Sequence, residues 1–131
     1  MRPALPALWL AVVAAGCSPV ELPVVEVSAL PDTADTAGPY SVGARVQARR
    51  PIAQVELVWH NVAAGAAASR ASMAQDAGGV WRATIPGYGR GARIAFHVEA
   101  LDEEGDRGAG PPAAASASGC AAELCFAVLP P

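Results

Sequence analysis

The sequence predicts an all-β fold, an antiparallel β-sandwich of about seven strands. Stretches in which apolar and polar residues alternate recur along the chain, and a period of two is typical of strands with one face on a core. Clusters of glycine, proline and aspartate separate these stretches and are typical of turns. The one alanine-rich stretch, residues 63–75, carries no apolar stripe at helical spacing, although alanine itself favours helix.

The clearest alternation lies in residues 79–102. Its first half is stopped by a turn rich in proline and glycine at residues 86–91, and the alternation then resumes. Two alternating strands joined by such a turn predict an antiparallel hairpin. The residues predicted to face the core are Trp81, Ala83, Ile85, Ile94, Phe96, Val98 and Ala100, and those predicted to face solvent on the second strand are Arg93, Ala95, His97 and Glu99.

Four further strands are predicted on either side of this hairpin. They cover residues 24–28 at a sheet edge, 40–47, 52–60 and 126–129. In the third of them we expect Val55, Leu57 and Trp59 to point inward, and Gln54, Glu56 and Val58 to point outward. The large side chains expected to anchor the core are Tyr40, Trp59, Trp81, Phe96 and Phe126.

Residues 79–105 resemble a sequence motif that recurs in bacterial immunoglobulin-like and fibronectin-type-III-like modules. The resemblance covers roughly residues 24–112 and implies an Ig-like β-sandwich, with a short strand at residues 69–73 that turns Met73 inward. Such modules commonly accompany secreted proteases, glycosidases and adhesins as non-catalytic domains. The matching residues are Gly38, Pro39, Tyr40 and Val42, then Gly79, Trp81, Ala83, Ile85, Pro86, Gly91, Ile94, Phe96, Val98, Ala100, Asp102 and Gly105.

Length and charge limit the possible functions. The chain has 131 residues, enough for one domain, and its aromatic content of 5% predicts a modest core. It contains no lysine, and the formal net charge is −3. A grip on phosphate backbones needs clustered positive charge, so nucleic acid is not an expected partner.

The first 16 residues have the three parts of an export signal: a basic residue at the start, an apolar run and small residues at the end. Residues 14–17, Ala-Ala-Gly-Cys, resemble the lipobox of bacterial lipoproteins, with alanine where leucine is usual. That resemblance implies cleavage before Cys17 and lipid attachment to its thiol. Residues 17–23 would then form a tether and residues 24–131 the domain. The alternative is an ordinary secretory peptide that leaves Cys17 unmodified.

Two more cysteines lie near the end of the chain. Residues 107–119 lack periodicity and predict a long flexible connection, and Cys120 and Cys125 follow it. In an oxidising compartment the expected state of the pair is a disulfide. Because a disulfide needs Cα atoms about 4.4–6.8 Å apart, the residues between these cysteines would have to turn.

No motif in the sequence predicts an active site, a cofactor or a metal site. His97 and Glu99 share the outward face of one predicted strand, and His60 ends another, an arrangement usual for surface residues. The acidic residues of the loop 32–39 lack the spacing of a calcium cage. An enzyme that uses His97 and Glu99 is the alternative to this interpretation.

These observations predict a lipid-anchored module of a bacterial cell envelope that binds a protein or a polysaccharide, or serves as a spacer. The membrane would be one partner, through the lipid on Cys17. Exposed strand edges would offer a surface for a second partner. An accessory domain of a secreted protease or other hydrolase is the alternative function that the family resemblance implies.

Overall fold

The computed structural model describes residues 22–65, 67–111 and 123–129. Within these residues the protein is all-β, as the alternating pattern predicts, with one short 3-10 turn at Val62–Ala64. The strands are β1 (Val24–Val27), β2 (Tyr40–Gln47), β3 (Ile52–Asn61), β4 (Ser69–Ser72), β5 (Ala74–Gln75), β6 (Trp81–Ile85), β7 (Arg93–Asp102), β8 (Arg107–Gly110) and β9 (Leu124–Ala127).

The strands form two antiparallel sheets. The first sheet has the order β1-β2-β6-β5. The second has the order β4-β3-β7-β8, and β9 pairs with β7 alongside β8. Outside these ladders, Thr33 and Val128 form an isolated parallel bridge, which connects the loop after β1 to the chain just beyond β9.

The inner faces of the two sheets share one hydrophobic core, so the arrangement is like that of a β-sandwich. Phe126 contacts both sides of it: its ring meets Tyr40 of the first sheet edge-on at 5.0 Å and Phe96 of the second at 6.1 Å. Side chains that are less than 2% exposed come from both sheets, and they include Val25, Val42, Ile85, Leu57, Ile94, Phe96 and Val98.

The inward-facing positions follow the predicted alternation closely. Val55, Leu57 and Trp59 are all buried on β3, and the inward residues of β7 are fully buried. Trp81 is half-buried and packs against the core from β6. Apolar side chains at every second position reach the core because successive side chains of a strand point to opposite faces.

The predicted central hairpin is wrong. Strand β6 pairs with β2 and β5 in the first sheet, whereas β7 pairs with β3, β8 and β9 in the second. The loop 86–92 therefore crosses from one sheet to the other. Alternation shows which face of a strand is buried but does not identify the strand beside it.

The flexible connection predicted at residues 107–119 begins instead as a strand, β8, which pairs with β7. Gly108 and Gly110 lie under β1, where a Cβ on Gly108 would collide with the carbonyl oxygen of Pro23, and one on Gly110 with that of Val25. Glycine is needed for this close approach, and its missing side chain removes the alternation that would have predicted the strand. Residues 112–119 lie outside the described residues.

The described strands number nine, against the seven expected. Besides β8, the extra strand arises because residues 69–75 are divided between the sheets. Strand β4 joins the second sheet, β5 joins the first, and Met73 between them is buried, as the family resemblance implies. The helical alternative for residues 63–75 is wrong in the part that the structure describes, where only the 3-10 turn is helical. The last strand also begins earlier than expected, at Leu124 rather than Phe126.

The outer face of the second sheet is less exposed than predicted. Val58 and Ala95, both expected to face solvent, are 3% and 1% exposed. Neither belongs to the core between the sheets. The polar residues on the outer face of β7, His97 and Glu99, are therefore partly buried rather than fully exposed.

Candidate functional site

A connected group of polar side chains lies on this outer face of the second sheet. The register places Glu56 of β3 opposite Glu99 of β7, and Val58 opposite both His97 of β7 and Arg70 of β4. Residues at alternate positions of neighbouring strands share one face, so these side chains converge. We call Glu56, Arg70, His97, Glu99 and Glu123 the His97 network.

His97 is held between two carboxylates. Its Nδ1 lies 2.8 Å from Oε2 of Glu123, and its Nε2 lies 2.9 Å from Oε2 of Glu99. Each of the three side chains retains only about a fifth of its exposure, at 21–23%. Since a carboxylate only accepts hydrogen bonds, both contacts are hydrogen bonds only when both ring nitrogens carry a proton.

Arg70 extends the network across the sheet. Its Nη1 lies 3.0 Å from Glu99 and 3.3 Å from Glu56, and Arg107 of β8 approaches Glu99 at 3.7 Å. The hydrogen bond from His97, and then the bond and charge of Arg70, hold the pKa of the Glu99 carboxyl below its ordinary value, while partial burial acts in the opposite direction. The network therefore connects three strands and the residue before β9 by charge-assisted contacts, and Arg107 extends these contacts to a fourth strand.

A groove of about 540 Å³ runs beside the network, with Val58 in its lining. His60 also lines it and is a diagonal neighbour of His97, since His60 pairs with Ala95 and His97 with Val58. Both nitrogens of His97 are directed at carboxylates, so neither is aimed at a hydroxyl or thiol that it could activate. These contacts are suited to stabilising the sheet.

The acidic loop residues hold backbone groups. Asp32 Oδ1 accepts a hydrogen bond of 2.8 Å from the amide of Ala127, and Asp35 Oδ1 accepts one of 2.8 Å from the amide of Ala37. Within residues 22–65, 67–111 and 123–129, no group of three or more histidine, cysteine, aspartate or glutamate side chains is arranged to hold a metal ion. These acids tie the loop 32–39 to itself and to β9.

Two of the three cysteines singled out by the sequence lie outside the described residues. These two are Cys17 and Cys120. The lipid attachment to Cys17 and the pairing of Cys120 with Cys125 therefore remain predictions. Cys125 lies on β9 opposite Ala95, with its sulfur 3.8 Å from Nη2 of Arg93. In the described part of the chain there is no helix of the length and apolarity required to cross a membrane.

The structure also contains a second polar surface, which no pattern in the sequence predicts. On the outer face of the first sheet, Glu26, Ser41, Arg45 and Arg82 line an open cleft of about 570 Å³ around Gly43. The alternation on β2 places Ser41, Gly43 and Arg45 on that face. Only the strand register, which sets Arg82 opposite Gly43 and Glu26 opposite Arg45, brings the charges together.

No protein-family model matches the sequence, and no curated protein matches it.

Proposed function

We propose that this protein is a lipid-anchored, non-catalytic binding module of a bacterial cell envelope, built on an Ig-like or fibronectin-type-III-like sandwich. The observation that carries the proposal is the lipobox-like cysteine at position 17, placed only a short tether before β1. Each buried methylene of a lipid contributes about 0.8 kcal/mol, so two or three acyl chains hold a protein on a membrane almost permanently.

The order of the strands supports the Ig-like assignment. Immunoglobulin-type domains pair strands A-B-E-D in one sheet and C-F-G in the other. If β1 to β7 take the letters A, B, C, C′, D, E and F in chain order, the first sheet reads A-B-E-D. The second reads C′-C-F, with β8 and β9 together in the place of G.

The position of β1 sets the orientation that an anchor would impose. At full extension the chain from Cys17 to Val24 reaches about 25 Å, so the domain would stay close to the bilayer. Val24 pairs with Gln47 at the end of β2, and at the same end of the sandwich β3 starts opposite the last residue of β7. This end would face the membrane, and the loops 28–39, 62–65 and 86–92 would face away from it.

The His97 network supports binding rather than catalysis. A catalytic histidine needs one ring nitrogen directed at the group whose proton it moves. Here Glu99 and Glu123 occupy both nitrogens, and the same contacts reinforce the sheet. A sheet stabilised in this way is a rigid support for surfaces that face a partner.

The anchor is tested in cells of the source bacterium grown with labelled palmitate. The whole chain should take up label and sediment with membranes. A Cys17→Ser variant should lose the label and leave the membrane fraction, while a Cys125→Ser variant should keep both. Membrane-bound, labelled Cys17→Ser protein would contradict the proposal. Copurification of the anchored protein with a secreted hydrolase would instead favour the accessory-domain function.

A further inference from the structure

We propose that the outer face of the first sheet is a binding site for an acidic saccharide, whose carboxylate lies between Arg45 and Arg82. This inference rests on the proposed function as an envelope binding module and specifies its ligand. The site is separate from the His97 network, because the two lie on the outer faces of different sheets.

The cleft exists because β2 carries a glycine at the centre of this face. Ser41 and Arg45 flank Gly43 at alternate positions, and Arg82 of β6 stands directly opposite it. With no side chain at Gly43, the sheet surface is depressed between these polar groups. The volume of about 570 Å³ falls within the range of small-molecule sites and exceeds what a single sugar ring needs.

The guanidinium of Arg82 is held in place over this depression. Its Nε donates a hydrogen bond of 2.8 Å to Oδ2 of Asp76. The other carboxylate oxygen of Asp76 accepts bonds from the amides of Gly78 and Val80 at 2.8 and 3.0 Å, which fixes the carboxylate. A Cβ built on Gly43 would lie 3.4 Å from Cγ1 of Val80 and 3.5 Å from Nη1 of Arg82, so both side chains lie over the glycine. Such fixing lowers the entropy lost when a ligand binds.

Arg45 supplies the second cation. It stands opposite Glu26 in the register, yet in the part of the chain that the structure describes no hydrogen bond or ion pair engages its guanidinium. The side chain is exposed and lines the cleft. An arginine presents several donors in a planar fork that matches a carboxylate, and the fork of Arg45 beside the donors that Asp76 leaves available on Arg82 favours an anion.

The remaining lining selects a hydroxylated ligand. Glu26 can accept hydrogen bonds from hydroxyl groups, and Ser28 and Ser41 can donate and accept them. Val80 adds a small apolar surface suited to the C–H face of a sugar ring. A simple anion would be repelled by Glu26, which carries the same charge. An acidic saccharide can bind the arginines through its carboxylate and Glu26 through its hydroxyl groups.

A peptide strand is a poorer fit for this cleft. Strand addition requires an open edge with unpaired backbone groups. Most of the cleft lies over β2 and β6, which are interior strands with a neighbour on each side. The edge strand β1 also lines it through Glu26 and Val27, but β1 passes closely over β8. Recognition here must come from side chains, as the polar lining indicates.

The experiment titrates the whole chain, in detergent micelles, with a hexamer of galacturonic acid and follows the heat of binding. We expect saturable binding that weakens as salt is added, because exposed charges are screened. Arg45→Gln and Gly43→Val should each weaken binding at least tenfold, the first by removing a fork and the second by filling the depression. Arg90→Gln, at an exposed arginine outside the cleft, should bind as the unaltered chain does.

Several outcomes would overturn the site. They are the absence of saturable binding, unchanged affinity in both cleft variants, equal binding of a neutral glucose hexamer, and competition by inorganic phosphate at concentrations equal to the hexamer. Circular dichroism of each variant shows whether its fold is kept, and Arg45→Gln changes no contact inside the sheets. The mass of the same preparation reports acylation separately. If the protein is acylated but does not bind the hexamer, only the proposed saccharide site is contradicted. If it binds the hexamer but is not acylated, only the proposed lipid anchor is contradicted.

Discussion

The carboxylate of Glu123 lies 2.8 Å from Nδ1 of His97, a contact between the residue before the last strand and the central strand of the second sheet. Strands β8 and β9 share one edge of β7: β8 pairs from Val98 onward, and β9 pairs up to Phe96. His97 is the β7 residue between these two ladders. Its contact with Glu123 therefore fastens the sheet edge at the point where backbone pairing is interrupted.

Removal of this contact should weaken the fold. We expect Glu123→Gln to lower the free energy of unfolding by about 1 kcal/mol, because the bond to the imidazole loses its charge while the side chain keeps its size. Urea unfolding at pH 6 measures the change. Glu103→Gln alters an exposed carboxylate as a control, and an equal loss in that variant would contradict the role of Glu123.

Glu99 should make stability depend on acid. Its pKa in the folded protein is lowered, so the unfolded chain takes up the proton first as the pH falls. The contribution of Glu99 is thus complete above its ordinary pKa of 4.5 and is lost as the pH falls through the lowered value. Urea unfolding between pH 6 and pH 3 should show Glu99→Gln less stable than the unaltered chain at pH 6, with the difference shrinking in acid. A difference independent of pH would contradict this account.

The close passage of β1 over β8 should not tolerate a methyl group. Gly110→Ala would place a Cβ against the carbonyl oxygen of Val25, with the carbonyl carbon only 2.9 Å away, and backbone atoms cannot move aside cheaply. We expect a loss of about 1–3 kcal/mol, measured by urea unfolding. Gly89→Ala is the matched control, because nothing lies within 4 Å of its added Cβ. Equal stability of the two variants would contradict the contact.

The hydroxyl of Tyr40 should stabilise the end of the sandwich that carries the loop 86–92. It donates to the carbonyl oxygen of Asp35 at 2.6 Å and accepts from the amide of Tyr88 at 3.2 Å. We expect Tyr40→Phe to lower thermal stability, by about 1–2 kcal/mol in free energy, because both partners lose a bond in a part-buried place. Tyr88→Phe, which removes the acceptor for the indole of Trp59, should cost less. A larger loss in Tyr88→Phe would reverse this assignment.

The alternation of side chains made the faces of the strands predictable but left their partners undetermined. Ile85 and Ile94 are both fully buried, as expected, yet they belong to different sheets. A period of two identifies the buried face, whereas pairing depends on the path of the loop 86–92, for which the sequence offers only turn residues. Strand β8 was not predictable because Gly108 and Gly110 supply no alternating side chains.

The sites were predictable to different degrees. His97 and Glu99 share a face at a spacing of two, so their contact follows from the strand itself. Glu123 lies 26 positions from His97 in the sequence, and no local pattern predicts their contact. The cleft around Gly43 appears only when the register between β2 and β6 is known, because a glycine within a strand looks like a weakness when read alone.

The most direct test of the lipid-anchored module is the intact mass of the native protein extracted from membranes, with and without reductant. We expect the mass of residues 17–131 plus a diacylglyceryl group and a further acyl chain. On reduction that mass should rise by two hydrogens, as the Cys120–Cys125 disulfide opens. A soluble protein without acyl groups, with Cys17 free to react, would contradict the anchor and with it the proposed place of this protein in the envelope.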